Sequence, residues 1–238
     1  MDTNKRIIGN CTLYLADCLD VFPLLPPVDL LVTDPPYGIK ADKGTNGFGV
    51  SKVRTYRGGW DDRIPGKEYF AAMFAGSKHQ IIFGGNYFTE FLPPTKSWIV
   101  WDKIGGYEFK NPFSDAELAW TSFSFPTRKI TVVQQGFVAE EKERYHPTQK
   151  PVKLLTRILN DYGKEGDLVL DCFMGSGSVG VACIKTERRF IGIEADPHYF
   201  EIACQRIAEA EQDQSNLLPA FIPAVRQKTF FEETTTYN

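Results

Sequence analysis

The sequence predicts an α/β fold built on a mostly parallel sheet. Short apolar runs end at polar or turn-forming residues, helical patterns alternate with several of them, and a glycine turn joins one strand to the next helix. In chain order the strands are Thr12–Ala16, Asp29–Thr33, Gln80–Phe83, Ser97–Trp101, Leu118–Ser122, Leu168–Leu170 and Phe190–Ile193. Lys67–Ala75 presents Tyr69, Phe70, Met73 and Phe74 on one helical face, and Val152–Leu159 presents Leu154, Leu155, Ile158 and Leu159. Val179–Lys185 follows the glycine turn as a helix. Asp196-Pro197 has the N-cap and first-position proline of a further helix, expected to run to about Glu211. The polar stretch from Gln212, interrupted by Pro219 and Pro223, reads as a surface tail. One domain over residues 1–211 and a tail over 212–238 are therefore expected.

Composition narrows the class. A chain of 238 residues supports one full-sized core. No apolar run approaches the roughly 20 residues that span a bilayer, and Met1–Arg6 lacks the apolar stretch of a signal peptide. Cys11, Cys18, Cys172, Cys183 and Cys204 are scattered without a CxxC pair, as reduced thiols of the cytoplasm would be, and they suggest no metal site. A net charge of −3 argues against bulk coating of nucleic acid. Locally, however, Lys40, Lys43, Lys52, Arg54 and Arg57 face only Asp42 within a glycine-rich stretch. That stretch suits either a solvated loop or one that contacts phosphates. Phe123–Tyr145 is expected to be irregular and carries Arg128, Lys129, Lys142 and Arg144.

Two turns carry the chemistry. In the first, Leu168–Asp171 leads into Cys172-Phe173-Met174-Gly175-Ser176-Gly177-Ser178, where glycines let a ligand approach the backbone and the following helix's amides. Asp171 ends that strand at its carboxyl edge, and Glu194 ends the next strand about 20 residues past the glycines, placed to accept from ribose hydroxyls. The spacing indicates an adenosine-type ligand. It does not separate a dinucleotide from S-adenosyl-L-methionine.

In the second turn, Asp29–Thr33 leads into Asp34-Pro35-Pro36-Tyr37. Consecutive prolines stiffen the loop and leave its carbonyls free as acceptors. The Asp34 carboxylate and the Pro35 carbonyl suit the two hydrogens of an amine conjugated to an aromatic ring, and Tyr37 suits stacking on a base taken out of the duplex. Without other context the same residues also suit a proline-braced turn with a capping aspartate.

Together these residues resemble the DNA amino-methyltransferases of the β class of motif order, over nearly all of Thr12–Ala208. Asp34–Tyr37 looks like the catalytic motif of that family and Asp171–Ser178 like its cofactor loop. His146-Pro147-Thr148-Gln149-Lys150-Pro151 looks like the motif ahead of the cofactor-side helix. The resemblance implies that Thr148 and Lys150, with His146 nearby, hold the methionine carboxylate. It places Asp17, with Cys18 beside it, at the cofactor's adenine and Glu194 at its ribose, with Phe173, Gly175, Ser176, Gly177 and Ser178 also on the cofactor. Phe83–Asn86, Trp98–Lys103 and Asp115–Trp120 resemble segments that line the base pocket and form the antiparallel edge.

The implied fold is the Rossmann-like S-adenosylmethionine-dependent methyltransferase fold, a seven-stranded sheet of order 3-2-1-4-5-7-6 with helices on both faces. The implied activity is methylation of adenine N6 in double-stranded DNA, in a prokaryotic or phage-infected cytoplasm, and the resemblance admits a homodimer. Only residues 38–67 and 123–145 remain for target recognition. Aspartate at position 34 favours adenine over cytosine N4, because the cytosine enzymes more often carry serine there. RNA or protein-glutamine methylation is disfavoured by the aspartate and by the motif order, and a non-catalytic module by the complete set of chemical positions.

Overall fold

The computed structural model describes residues 4–39, 61–108, 114–134, 145 and 149–217. Nine strands form one sheet: β1 Asn4–Ile8, β2 Cys11–Leu15, β3 Val28–Thr33, β4 Ser77–Phe83, β5 Trp98–Asp102, β6 Ala116–Thr121, β7 Arg128–Thr131, β8 Leu168–Asp171 and β9 Arg189–Glu194. Their order is β1-β2-β9-β8-β3-β4-β6-β5-β7. The inner seven follow the expected 3-2-1-4-5-7-6 pattern, so the count is corrected rather than the arrangement. The two added strands lie at the edges. β1 pairs antiparallel with β2, and β7 pairs parallel with β5 outside the antiparallel β5–β6 pair. Both are short and polar, NKRII and RKIT, and mostly exposed. Charged edge strands guard a sheet against further pairing, and they leave no alternating apolar pattern to read.

The central strands are buried because each face of the sheet carries a helical layer. Leu30 and Val32 of β3 join a core with α3 (Val152–Tyr162), α4 (Ser178–Lys185) and α5 (Pro197–Leu217). Leu31, between them, faces α1 (Cys18–Val21) and α2 (Lys67–Gly76) through Val21, Phe70 and Met73. This period-two alternation in an all-apolar run is what two-sided burial demands. Helix α5 runs past the expected end at Glu211 to Leu217, so Gln212–Asn216 belong to the helix and not to a tail. No helix among the described residues is long and apolar enough to cross a membrane.

The topology decides where a site can form. From β8 the chain proceeds through α4 to β9 on one side, while β3 connects through α2 to β4 on the other. Ligands of open α/β sheets bind at such a switch point, beyond the carboxyl ends of the strands. Thr33, Asp171, Glu194 and Phe83 all end their strands at that edge. Because β6 runs antiparallel, with Ala119 opposite Phe83, its first residues arrive at the same edge. Glu117 is delivered there by register.

Candidate active site

Asp34 follows β3 directly, and both of its oxygens are engaged. Oδ1 accepts from the Tyr37 hydroxyl at 2.5 Å and Oδ2 from Lys150 Nζ at 2.6 Å. Lys150 is 6% exposed and also reaches Glu117 Oε2 at 3.2 Å, while Glu117 Oε1 accepts from Lys103 at 2.9 Å. The result is a chain of alternating charge, Lys103–Glu117–Lys150–Asp34, ending on Tyr37. Burial opposes the charge on Lys150, but Asp34 and Glu117 outweigh it and raise its pKa. Burial raises the Asp34 pKa, with Lys150 pulling the other way and Glu117 adding to the rise. Among these groups the proton therefore stays on the lysine, and Asp34 is a carboxylate poised to take one up.

The Tyr37 ring stacks on Tyr87 at 4.8 Å between centroids and meets the edge of Phe88 at 5.9 Å. Lys150 lies over the Tyr37 and Phe83 rings at 5.6 and 5.3 Å. This places Lys150 against Asp34 and Tyr37, whereas the resemblance implied it as a donor to the methionine carboxylate. His146 and Thr148, its expected companions, lie outside the described residues, as do Lys40, Lys43, Lys52, Arg54 and Arg57.

The glycine turn closes on Glu194. Gly175 N–H donates to Glu194 Oε2 at 2.7 Å and Asp196 N–H to Oε1 at 2.8 Å. Gly177 adopts φ +79°, and a Cβ there would lie 2.9 Å from that of Ala203, so the loop packs on α5 only without a side chain. Arg206 of α5 clamps the loop, donating to Ser176 O at 2.5 Å, Ser176 Oγ at 3.1 Å and Ser178 Oγ at 3.2 Å. Gln149 adds a bond from Ser176 Oγ at 3.2 Å. A cavity of ≈ 300 Å³ lies between the two turns, lined by Asp34, Pro36, Lys150, Phe173, Ser176 and Glu194 among others. A second of ≈ 470 Å³ shares Pro36, Phe173 and Glu194 with it and adds Asp17, Cys18, Ile64 and Tyr69. Asp17 caps α1 through Leu19 N–H at 2.9 Å and accepts from the Tyr69 hydroxyl at 2.8 Å.

Asp171 is buried beside these turns. Its Oδ1 accepts from Thr33 Oγ1 at 2.7 Å and from Phe173 N–H at 3.1 Å. Burial pushes its pKa from the usual 3.8 up to about 7, against the pull of those two bonds. The folded state thus holds a proton that the unfolded chain has released, and stability falls as pH rises from about 4 to about 7. Asp171→Asn keeps both bonds to Oδ1 and carries no charge. It is expected to flatten that slope and to exceed the natural protein in stability at pH 8 by as much as about 4 kcal/mol. Denaturant unfolding at pH 4, 6 and 8 measures this, and parallel pH dependences for the two proteins would refute it.

Sequence reasoning placed Glu117 in a segment implied to line the base pocket but gave it no role of its own, and it missed Arg206, Thr33 and Tyr87. A charged residue amid the apolar strand AELAW was the available signal for Glu117. Arg206 carried none, since an arginine on a long helix ordinarily faces solvent. Among the described residues no group of three or more His, Cys, Asp or Glu side chains is arranged to hold a metal.

Comparison with known proteins agrees with this geometry. Residues 92–205 match the N6/N4 DNA methylase family model. The chain is 46% identical over 89 residues to the type II methyltransferase M2.DpnII of Streptococcus pneumoniae, covering 36% of this chain and 33% of that one. That match thus spans only a third of the relative's length. It is 28% identical over 220 residues to the type II methyltransferase M.HpaI of Haemophilus parainfluenzae, covering 76% of this chain and 68% of the relative. Among solved structures, the M1.HpyAVI–SAM complex superposes with a TM-score of 0.56 at 24% identity, over 83% of this chain and 98% of that one. The cytosine-N4-specific PvuII DNA methyltransferase gives 0.57 at 17% identity, over 90% and 95%. At those identities both speak for the shared fold. The sheet order, the two turns and the matched segment thus agree in likening this chain to the N6/N4 DNA methylase family, whose model matches residues 92–205.

Proposed function

We propose that this protein transfers a methyl group from S-adenosyl-L-methionine to the N6 amine of an adenine flipped out of double-stranded DNA. One observation carries the reading: Asp34 and Glu194 line the same cavity, together with Phe173 and Pro36. The residues present fit the cofactor. Glu194 spends one bond per oxygen on backbone N–H groups, and a carboxylate has about four acceptor sites. Two acceptor positions therefore remain for ribose hydroxyls. The adjoining cavity, lined by Asp17, Ile64, Tyr69 and Phe173 among others, offers apolar side chains and a carboxylate to a purine.

When bound, S-adenosyl-L-methionine supplies an electrophilic methyl group. The protein's contribution is to orient the amine. The Asp34 carboxylate and Pro35 carbonyl accept the two amine hydrogens, which turns the nitrogen lone pair out of conjugation, and Tyr37 holds the base by stacking. The amine becomes acidic on methylation, so Asp34 takes its proton after transfer and not before. Positioning and electrostatics then supply most of the acceleration. On this reading residues 1–211 are the catalytic domain, 38–67 and 123–145 contact DNA through residues that include Lys40, Lys43, Lys52, Arg54 and Arg57, and the protein works in the cytoplasm.

The fold does not choose between bases, since a cytosine-N4-specific enzyme shares it. The choice of adenine rests on Asp34. Long-read methylation mapping and nucleoside mass spectrometry of DNA from cells expressing the protein test both points. N6-methyladenine at a defined sequence is expected, and N4-methylcytosine without it would reverse the assignment. Glu194→Gln is expected to weaken S-adenosyl-L-methionine binding about tenfold or more, because the amide offers one acceptor atom in place of two. Calorimetric titration reads this directly, and unchanged affinity would take Glu194 off the ribose.

A further inference from the structure

The methylation reading assigns Asp34 and Tyr37 but leaves unexplained why a buried ammonium sits on the catalytic carboxylate. As the new bond forms, positive charge builds on the target amine beside Asp34. Lys150, 2.6 Å from the same carboxylate, repels that charge at close range and in a dry setting. In the base-free protein the same ammonium has a use: it keeps a buried Asp34 ionised. The two demands conflict unless Lys150 has somewhere else to go.

Glu117 provides that place. Its Oε1 is held by Lys103, but Oε2 is buried and makes no hydrogen bond. Oε2 lies 3.2 Å from Lys150 Nζ, within ion-pair reach yet outside hydrogen-bond geometry. Three N–H bonds radiate from the ammonium, and it donates to Asp34 at 2.6 Å and to the Tyr37 hydroxyl at 3.4 Å. A small rotation of the lysine tip exchanges Asp34 for Glu117. We propose that Glu117 is a positioning residue that draws the Lys150 ammonium off Asp34 when the target amine arrives, so that Lys150 stands in for the amine until then. Lys103 fixes Glu117 for this task. No bond to carbon forms or breaks in the exchange, and no proton changes owner.

The inference rests on the methylation reading, and its test separates the two. The groups facing Asp34 are Lys150 and Tyr37, with Glu117 and Asp171 also close enough to act on it. In Glu117→Gln, Lys150 stays on Asp34. In Glu117→Gln/Lys150→Met the obstructing charge is gone. Single-turnover methyl transfer to DNA carrying the mapped site, measured on the alkaline plateau, is expected to fall about tenfold or more in Glu117→Gln. It is expected to recover by a similar factor in the double variant, with DNA affinity little changed. A merely structural Glu117 would make the double variant slower still, and that result overturns the proposal. So does a Glu117→Gln rate within threefold of the natural one.

A second readout needs neither cofactor nor DNA. Titration of the Asp34 carboxyl by carbon NMR is expected to move to lower pH in Glu117→Gln and to higher pH in Lys150→Met. An unmoved Asp34 titration in both variants removes the coupling. If the natural protein methylates no DNA, the functional reading fails, while the NMR titration still decides the coupling.

Discussion

Asparagine in place of Asp34 is expected to cut methyl transfer by about 10³-fold while leaving the chain folded. The fold survives because the amide satisfies its surroundings once turned over. Its oxygen accepts from Lys150, and its NH₂ donates to the Tyr37 hydroxyl, replacing the two bonds Asp34 makes now. Catalysis does not survive, because no anion faces the amine as it acquires charge and none remains to receive its proton.

Asp34→Ala has a different outcome. It leaves the Lys150 ammonium buried with Glu117 as its remaining carboxylate partner. Breaking a buried pair by removing one member typically costs about 3–5 kcal/mol, so this variant should be both inactive and less stable. Adding Lys150→Met should return much of the stability and none of the activity. Thermal unfolding beside single-turnover kinetics distinguishes the two losses. An Asp34→Asn enzyme within tenfold of the natural rate would sink the mechanism.

These variants depend on a network of which the sequence shows only part, and the reason is physical. Asp34, Tyr37, Gly175 and Glu194 sit where strands end, so the roles proposed for them follow from local pattern and from the rule that ligands meet such sheets at the carboxyl edge. Glu117 reaches the same edge only because β6 runs antiparallel, with Ala119 opposite Phe83, a pairing of residues far apart in the chain. Arg206 reaches Ser176 across 30 positions, and Lys150 reaches Asp34 across 116. Local sequence carries no record of such contacts.

A similar division holds for the fold. β3 and β9 were legible because burial on two faces leaves continuous apolar runs. β1 is fixed instead by its pairing with β2 and by Arg6, which meets Glu201 at 2.8 Å and lies 5.4 Å from the Phe200 ring. The last turns of α5 were missed because Gln212–Asn216 are polar around the whole helix. Their helicity continues a helix already nucleated upstream, where adding residues is far less costly than starting anew.

Gly84→Ala should reduce methyl transfer by about 10²-fold by displacing the Tyr37 ring. Gly84 directly follows β4 at φ +67°, with its N–H donating to Leu118 O at 2.8 Å, so its conformation is fixed by the sheet. Alanine in that left-handed region costs roughly 1–2 kcal/mol. The larger effect is steric. A Cβ here would lie 2.1 Å from Tyr37 Cε1 and 2.5 Å from Cζ, a contact no pair of carbons tolerates. With Tyr87 stacked on the ring and Phe88 at its edge, Tyr37 has to swing off Asp34 and out of the stacking position.

Gly106→Ala separates strain from collision. Gly106 has φ +90° with nothing within 4 Å of a Cβ, so the variant should lose comparable stability and keep its rate. Gly84→Ala/Tyr37→Ala closes the argument. If the glycine matters by placing that ring, the double variant should be no slower than Tyr37→Ala alone, because the ring has only one position to lose. Additive losses, or an equal loss of rate in Gly106→Ala, would show that Gly84 acts through the backbone and that the place of Tyr37 is set elsewhere.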